Sequence, residues 1–489
     1  MMKILFLNPP FLKKFSRPQR SPAVTKSGTL YFPLWLASAA AVVMERGHEI
    51  DFIDAPADGL NIQDVENRVL AFGPGLIVID TSTPSITNDI GMAGRLKDLM
   101  PGAFIIAVGT HVSALPDDVM KMDARLDAVS RFEYDLTILD LADTLSKNGP
   151  LASVKGICWR DGGNIVHNER RPFINNLDEL PFVSKIYKKF LKIENYFNPN
   201  ALFPMVTITT SRGCPFPCTF CVYPQTLMGR GFRSRSVENV VDELEYIIKE
   251  FPQAKSVFFE DDTLTVDKKR LKALSDLIKK RGVRITWTAN SRIGIDFESM
   301  KAIKEAGCRS LCVGFESGSQ KILDNMKKKT KLDEMKAFMR DARKAGLLIH
   351  GCFMAGLPGE TKETLKETLD LAKDLRPDTV QFYPVMVYPG TEAYDWYSQR
   401  GLIRSSDFSR WITPEGLHNT VIRTEDLSAE DLVRFCDDAR REFYLRPGYI
   451  LYKLKQLITS PSDIKRTAKA ARTFFRYLLK GSDIKKASA

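Results

Sequence analysis

Short apolar runs alternate with amphipathic stretches through the first 146 residues of the chain. The runs predict buried strands at 3–7, 49–53, 76–80, 103–108 and 126–130. Apolar residues at helical spacing predict helices at 34–46, 62–71, 89–99, 115–121 and 136–146. Strands that alternate with helices through short connections predict a parallel sheet with helices on both faces.

A second alternation begins at residue 204. It predicts strands at 205–209, 256–259, 284–288, 310–315, 347–354 and 379–387. The helices predicted between them lie at 237–250, 268–280, 298–306, 332–345 and 362–374. Six such units make up most of a β/α barrel, and barrels of this kind carry their chemistry at the carboxyl ends of the strands.

The two alternations predict an α/β protein built from four parts. Residues 1–149 form a Rossmann-like domain, and residues 150–203 form a bridging segment with a hairpin. Residues 204–400 form a partial (β/α)6 barrel, and residues 401–489 form a helical region that ends in a basic amphipathic tail. At 489 residues the chain is long enough for each of the two main domains to bury its own core.

Charge changes this picture only at the carboxyl end. The net charge is +11, but residues 446–489 contain eleven Lys or Arg and two Asp, so the rest of the chain is close to neutral. This distribution argues against nucleic-acid binding by the main domains. Within the tail, residues 464–478 combine an apolar face with a basic stripe, which fits either an anionic membrane surface or docking on the protein's own body.

Eight irregularly spaced cysteines do not form a disulfide framework. No apolar run approaches the roughly 20 residues that span a bilayer. We therefore expect a cytoplasmic protein, with a peripheral contact at the inner membrane face if the tail binds lipid.

Three of the cysteines, Cys214, Cys218 and Cys221, lie within eight residues after the first barrel strand, in "SRGCPFPCTFC". A structural zinc site needs a fourth ligand, and none is near in the sequence. Three thiolates suit a 4Fe–4S cluster with one iron left open to a further ligand. Zinc and a purely structural role remain as alternatives at this point.

Polar and glycine residues follow the other predicted strands of both domains. At the barrel these are Glu260, Asp261 and Asp262, then Arg292, then Glu316 and Ser317, then Gly356 and Gly359. At the front domain they are Asn8, Thr83, Gly109 and His111. Because ligands of parallel sheets bind beyond the carboxyl ends of the strands, these residues are the candidate binding residues.

The Cys-x3-Cys-x-aromatic-Cys loop on a six-unit barrel resembles the radical S-adenosylmethionine (SAM) superfamily. The resemblance implies that Cys214, Cys218 and Cys221 hold the cluster and that SAM chelates its fourth iron. It also implies that Phe220 lies beside the adenine and that Glu260, Asp261 or Asp262 meets the methionyl amine.

The same resemblance assigns further SAM contacts to later strands. It implies that Glu316 and Ser317 contact the ribose and carboxylate of SAM, and that the turn from Gly356 to Gly359 packs on the adenine. Carboxylates at neighbouring strand ends would stabilise the sulfonium and ammonium charges of SAM. Arg292 would pair with a carboxylate of SAM or substrate, or form an ion pair within the barrel rim.

The front domain, with "FLNPP", "GTHVSALP" and "NNLDELPFV", resembles the cobalamin-binding subfamily of radical SAM enzymes. The chain contains no Asp-x-His, so cobalt would lack a histidine from that motif. The resemblance implies that Asn8, Thr83, Gly109 and His111 border the cobalamin. His111 would face the corrin or cap a strand end.

The motifs around SAM look most like the branch that modifies hopanoids and other lipid or polyol substrates. This implies cleavage of SAM to a 5′-deoxyadenosyl radical, hydrogen abstraction from an unactivated carbon, and then methyl transfer from cobalamin or a rearrangement such as ring contraction of a hopanoid-linked amino sugar. An external one-electron reductant of flavodoxin or ferredoxin type would be needed. The alternative is an iron–sulfur electron-transfer protein or lipid-associated binding protein that does not cleave SAM.

Overall fold

The front of the chain folds around a mixed seven-stranded sheet. The computed structural model describes residues 1–459, with side chains to residue 456. The strands of this sheet are β1 (Lys3–Asn8), β2 (Glu49–Asp54), β3 (Leu76–Asp80), β4 (Phe104–Val108), β5 (Ala128–Ser130), β6 (Ile157–Asp161) and β7 (Asn164–His167). Their order is β2-β1-β3-β4-β5-β6-β7, and the first five are parallel.

Helices cover both faces of the front sheet, as the sequence predicts. They are α1 (Leu34–Glu45), α2 (Ala55–Asp58), α3 (Ile62–Phe72), α4 (Ile86–Leu99), α5 (Thr110–Ala114), α6 (Pro116–Met122), α7 (Asp135–Ser146) and α8 (Ser184–Phe190). The alanine-rich α1 is buried along almost its whole length because it packs against α7 and α8 as well as the sheet. Every position of β3 is buried, as expected of a strand covered on both faces.

The front sheet has one point where the strand order reverses. The chain runs from β1 outward to β2 and then returns to the other side of β1 to form β3. The loops that follow β1 and β3 therefore diverge and leave a crevice at their carboxyl ends, which is where open α/β sheets bind ligands.

The predicted hairpin in the bridging segment is confirmed, and it extends the front sheet. Strand β6 pairs with β5 in antiparallel register, and β7 pairs with β6. Gly162 and Gly163 both take positive φ at the hairpin turn. The front sheet thus uses residues beyond position 149.

The second half of the chain forms an open barrel of six parallel strands. They are β8 (Met205–Ile208), β11 (Ser256–Phe259), β12 (Thr286–Ser291), β13 (Cys308–Glu316), β14 (Leu348–Ala355) and β15 (Thr379–Pro384), and they follow one another in that order across the sheet. A separate two-stranded ribbon pairs β9 (Ser211–Arg212) with β10 (Arg233–Ser234). The predicted partial (β/α)6 barrel behind a Rossmann-like domain is therefore confirmed.

Amphipathic helices surround the barrel. The helices that follow the cysteine loop (residues 214–221) are α9 (Val222–Thr226), α10 (Val237–Glu250), α11 (Lys268–Lys280), α12 (Phe297–Glu305), α13 (Gln320–Asn325), α14 (Leu332–Lys344), α15 (Lys362–Leu375), α16 (Glu392–Gln399), α17 (Ala429–Tyr444) and α18 (Pro447–Thr459). Side-chain caps begin several of them, with Ser236 capping α10 and Asp267 capping α11. Helices α10 and α11 have the bounds that the sequence predicts.

Five of the six barrel strands differ from their predicted bounds, and β12 and β15 have the largest shifts at their carboxyl ends. Strand β12 runs to Ser291, so Asn290 and Ser291 lie inside it and not in the loop that follows. Strand β15 ends at Pro384 and not at residue 387, because its partner strand β14 ends at Ala355, whose carbonyl oxygen accepts the last bond from the amide of Val385 at 2.8 Å. The predicted tail helix at 464–478 lies outside the described residues. Among those residues, no helix is both long and apolar enough to cross a bilayer.

Candidate active site

The cysteine loop lies between β9 and β10, at the carboxyl edge of the barrel. Gly213 begins the loop with a φ of +81°, and a Cβ at this position would collide with the carbonyl oxygen of Gly231. The amide of Cys214 donates to the carbonyl oxygen of Gly229 at 3.3 Å. Glycine at position 213 therefore lets the two arms of the loop approach closely. The hydrogen bond to Gly229 fixes the position of Cys214.

The three loop cysteines are free thiols that interact electrostatically. Cys214 and Cys218 are buried, and Cys221 is half-buried. Burial raises the pKa of Cys214 and of Cys221, and the neighbouring thiols and Asp262 raise both further. Thiolates in this loop therefore need a compensating positive charge, which bound iron supplies.

The arrangement of the thiols bears on the choice between zinc and a cluster. Ligands of one tetrahedral zinc ion, each about 2.3 Å from the metal, must lie within about 4 Å of one another. Among residues 1–459, no group of three or more His, Cys, Asp or Glu side chains is arranged to hold a metal ion. The number of thiols favours a cluster, because three cysteines can each bind a different iron of a 4Fe–4S cluster and leave the fourth iron open.

Arg292 lies beside the cysteine loop. One guanidinium nitrogen is 3.2 Å from the Sγ atom of Cys218, and the guanidinium carbon lies 3.9 Å from the centre of the Phe216 ring. The other nitrogen donates to the carbonyl oxygen of Lys328. Its charge is thus placed to stabilise an anionic cluster, while the predicted pairing with a carboxylate of SAM or substrate stays a prediction.

The three consecutive carboxylates after β11 have different environments. Asp261 is completely buried and accepts hydrogen bonds from the amide of Thr210 at 3.0 Å and from the hydroxyls of Thr210 and Ser211. These bonds anchor the beginning of the cysteine loop to β11. The carboxylate of Asp261 is therefore engaged within the protein, which leaves Glu260 and Asp262 as the residues of this triplet that can face a ligand.

Glu260 is held by an arginine from the front domain. Arg20 forms an ion pair with the Oε1 atom of Glu260, and its second nitrogen lies 3.3 Å from Oδ1 of Asp262. The other carboxylate oxygen of Glu260, Oε2, is buried and has no hydrogen-bond partner. Burial raises the pKa of the Glu260 carboxyl, and the Arg20 guanidinium opposes that shift.

Glu316 repeats this arrangement two strands away. Its Oε1 atom accepts from Nζ of Lys328 at 2.7 Å, and both side chains are about 5% exposed. Its Oε2 atom is buried and without a hydrogen-bond partner. Glu316 has a φ of +67°, at a register irregularity between β13 and β14, so the strand end is bent where the carboxylate is presented.

Glu260 at the end of β11 and Glu316 at the end of β13 therefore each present a buried carboxylate oxygen without a hydrogen-bond partner. Buried polar atoms are nearly always hydrogen-bonded, so exceptions of this kind point to a missing partner. An ammonium or hydroxyl donor, such as SAM carries, would satisfy Oε2 of Glu260 and Oε2 of Glu316. The residues present thus fit SAM, and sequence reasoning missed the two cations, Arg20 and Lys328, that hold these carboxylates in place.

The other predicted SAM residues shape the same edge. The hydroxyl of Ser317 lies 3.3 Å from the hydroxyl of Thr368 and accepts from the amide of Ser319, so it fixes the turn after β13. Gly356 and Gly359 both have positive φ. A Cβ at Gly356 would lie 2.7 Å from Cδ1 of Leu432, so the turn after β14 packs tightly on α17.

Phe220 is half-buried, and two hydrogen bonds fix the backbone of its neighbour Thr219. The amide of its neighbour Thr219 donates to the carbonyl oxygen of Met326 at 3.2 Å, and the carbonyl of Thr219 accepts from Ala393 at 3.1 Å. The ring packs at the border of the barrel core. Its predicted place beside adenine stays a prediction.

A narrow pocket lies between the crevice of the front sheet and the helix after the cysteine loop. Residues from both domains line it, among them Trp35, Asp80, Thr83, Gly109, Tyr134 and Tyr223. Burial raises the pKa of Asp80 to about 7. Aromatic rings and hydroxyl groups thus line the edge at which open α/β sheets bind their ligands.

Three of the predicted cobalamin residues, Asn8, Thr83 and His111, have side-chain partners within the protein. The amide of Asn8 donates to Asp54 at 2.8 Å and accepts from Arg17 at 2.8 Å. The Nδ1 atom of His111 is 3.1 Å from the hydroxyl of Thr83, and its ring meets Phe408 edge to face. Burial lowers the pKa of His111 to about 3, so the imidazole is neutral and packs against the C-terminal region.

Known proteins match both halves of the chain. The model of the radical SAM superfamily matches residues 208–372, and the model of the B12-binding domain matches residues 20–142. An uncharacterized methyltransferase of Pyrococcus horikoshii is 32% identical over 452 residues, which cover 92% of this chain and 94% of the relative. The chain belongs to the cobalamin-binding radical SAM family. The predicted cofactor set of a 4Fe–4S cluster, SAM and cobalamin agrees with both domain matches and is confirmed.

The likeness to the hopanoid and lipid branch has less support than membership of the family. A hopanoid C-3 methylase of Methylococcus capsulatus is 24% identical and covers 77% of this chain and 70% of its own. The solved structure of OxsB, a cobalamin-dependent SAM radical enzyme, has a TM-score of 0.72 and 16% identity, covering 95% of this chain and 72% of its own. OxsB shows the common fold. The hopanoid and lipid branch stays a prediction for this member of the family.

Proposed function

We propose that this cobalamin-binding radical SAM protein is a methyltransferase that acts on an unactivated carbon. The observation that carries the proposal is the pair of unpartnered carboxylate oxygens of Glu260 and Glu316 beside the three free thiols. The name of the 32% identical relative, a methyltransferase, supports methyl transfer, and so does the name of the hopanoid methylase.

Bound to these sites, the cluster would supply an electron to SAM and cobalamin would supply the methyl group. The chain's own residues bind and orient. Cys214, Cys218 and Cys221 would hold the irons, and Oε2 of Glu260 and of Glu316 would accept hydrogen bonds from SAM. Because both carboxylates are nearly excluded from water, their attraction for a cationic ligand is stronger than it would be at the surface.

The interior of the barrel is the place that we propose for the substrate. Cys312, His350, Cys352 and Tyr383 lie on its strands at half-buried positions that alternate with fully buried ones. Burial raises the pKa of Cys352 to about 12 and lowers that of His350 to about 4, so both side chains are neutral near pH 7. A lining of neutral groups suits the uncharged part of a lipid or polyol.

The proposal is tested by anaerobic reconstitution with iron, sulfide and cobalamin, followed by reduction with dithionite in the presence of SAM. We expect 5′-deoxyadenosine from the parent protein and none from Cys218→Ala. An intact cluster whose electron paramagnetic resonance (EPR) signal is unchanged by SAM, with no 5′-deoxyadenosine, would instead support an electron-transfer or binding protein.

Methyl transfer is distinguished from rearrangement with SAM deuterated at the methyl group and an extract of cells that lack the protein. A product that carries the deuterated methyl group supports methyl transfer. A product of unchanged mass supports a rearrangement, such as ring contraction of a hopanoid-linked amino sugar, which would use the same first step. Reduction would come from an external flavodoxin- or ferredoxin-like protein.

We also propose a peripheral contact with an anionic membrane. Ile450, Leu451 and Leu454 of α18 are exposed and lie on one side of the helix. The side chains of Tyr449 and Tyr452 hold the other side to the loop before β15 through Asp378. Residues 460–489 contain eight Lys or Arg and two Asp, so a basic segment follows this apolar surface directly.

A further inference from the structure

Arg20 belongs to the front domain, but its guanidinium lies at the barrel. The residue is in the segment between β1 and α1, at the ligand-binding edge of the front sheet. One nitrogen forms an ion pair with Oε1 of Glu260. The other donates to the carbonyl oxygen of Asp261 at 3.0 Å and lies 3.3 Å from Oδ1 of Asp262. The guanidinium carbon is 5.2 Å from the centre of the Tyr223 ring.

Contacts on both sides of Arg20 fix the backbone that carries it. Arg17 forms a fully buried ion pair with Asp89 at 2.5 Å. The hydroxyl of Tyr223 donates to the carbonyl oxygen of Pro18. The hydroxyl of Ser21 lies 2.9 Å from Nε2 of His418. The position of the guanidinium is therefore set by the packing of the front domain, the barrel and the C-terminal region together.

This position determines which oxygen of Glu260 can meet a ligand. Oε1 is held by Arg20, while the buried Oε2 has no partner. Arg20 also supplies the positive charge that a buried carboxylate needs to remain ionised. Glu260 is thus oriented and charged by a residue from another domain, 240 positions earlier in the chain.

We propose that Arg20 is a positioning residue for SAM, which fixes the Glu260 carboxylate through Oε1 and leaves Oε2 for the SAM ammonium. The front domain then completes the SAM site of the barrel and does more than carry cobalamin. This inference rests on the proposed use of SAM by this protein. Arg20 acts through Glu260 and needs no contact with SAM itself.

The test measures the dissociation constant of SAM for the reconstituted full-length protein by equilibrium dialysis, together with the SAM-induced change in the EPR signal of the reduced cluster. Because hydrogen bonds to charged groups are among the stronger ones, Arg20→Ala is expected to weaken SAM binding about tenfold or more. Arg20→Lys keeps the charge without the bidentate guanidinium geometry, so it is expected to recover part of the lost SAM affinity.

A double-mutant cycle tests whether Arg20 acts through Glu260. We expect Glu260→Gln to weaken SAM binding, and the double variant Arg20→Ala with Glu260→Gln to bind no more weakly than Glu260→Gln alone. Lys13→Ala, which removes an exposed charge from the same segment, should leave the dissociation constant unchanged. Iron content and the cobalamin spectrum show whether each variant retains its fold and cofactors.

Three results would overturn the inference. These are unchanged SAM affinity in Arg20→Ala, tighter binding in that variant, and losses from Arg20→Ala and Glu260→Gln that add in full. Tighter binding would mean that the guanidinium competes with SAM for the carboxylates. A parent protein whose cluster signal ignores SAM would refute the proposed function itself, which separates the two failures.

Discussion

The ion pair between Lys328 and Glu316 allows stability and SAM binding to be tested separately. Its atoms are 2.7 Å apart, and each side chain is about 5% exposed. Lys328→Met keeps the length of the side chain but leaves the Glu316 carboxylate buried without its cation. Loss of one partner of a buried pair costs about 3–5 kcal/mol, so we expect the free energy of unfolding to fall by about that amount. Urea unfolding followed by circular dichroism measures it.

The double variant Glu316→Gln with Lys328→Met separates the two roles of the pair. Because no uncompensated charge remains, we expect stability to return to within about 1–2 kcal/mol of the parent protein. The double variant should bind SAM about tenfold or more weakly than the parent protein, because the charged acceptor at the strand end is gone.

The neighbouring Lys327 provides the control. Its ion pair with Glu392 is about half exposed, so Lys327→Met should change stability by less than about 1 kcal/mol. Equal effects of Lys328→Met and Lys327→Met would refute the argument that burial makes the first pair important. Parent-like SAM affinity in the double variant would refute the assignment of Glu316 to the SAM site.

Three further predictions concern other parts of the chain. Cys218→Ala should lose the visible absorbance and most of the iron of the reconstituted cluster, whereas Cys308→Ala, which removes a thiol buried outside the loop, should keep both. Burial raises the pKa of Glu360 to about 8 from an ordinary value of 4.5. Between these two pKa values the unfolded chain loses a proton that the folded protein keeps. Folding therefore becomes less favourable as pH rises through this window. Glu360→Gln should therefore gain stability over the parent by about 1.4 kcal/mol per pH unit in that window, measured by urea unfolding, and a difference independent of pH would contradict this. The parent protein should sediment with anionic vesicles and not with zwitterionic ones, and Leu451→Ser with Leu454→Ser should weaken that binding; absence of vesicle binding in the parent would contradict the membrane contact.

Local patterns were sufficient to predict the barrel and the place of the cysteine loop in it. Helix α10 keeps its apolar face over Val237–Glu250, and its bounds match the prediction because the helix and its Ser236 cap are specified within one short segment. The cysteine loop is a local motif for the same reason. The sequence also predicts the hairpin within the bridging segment, but not its pairing with β5, since pairing between distant strands is a tertiary contact.

The residues that complete the site could not be predicted in this way. Lys327 and Lys328 are adjacent in a run of three lysines, yet one is half exposed and the other is buried against Glu316. Nothing in a lysine run distinguishes its members before the fold is known. Arg20 lies in an irregular segment with no periodic pattern, and its partner Glu260 follows a strand of another domain. Both cations are found only from the structure.

Ion pairs buried between the two domains explain why the pocket at the front sheet lies beside the barrel strand ends that carry Glu260 and Glu316. Arg212, at the start of the cysteine loop, pairs with Glu133 and Asp135 of the front domain at 3.3 and 2.8 Å. Arg233, at its end, pairs with Glu133 at 2.8 Å. A buried pair that loses one partner is strongly destabilising, so any change in the orientation of the domains would expose several uncompensated charges at once. The proposed methyl transfer, from a group held by the front domain to a substrate in the barrel, would require a fixed separation, because small displacements of reacting atoms cost large factors in rate. The ion pairs around the cysteine loop, together with Arg20 at Glu260, provide that rigidity at the place where the two sites meet.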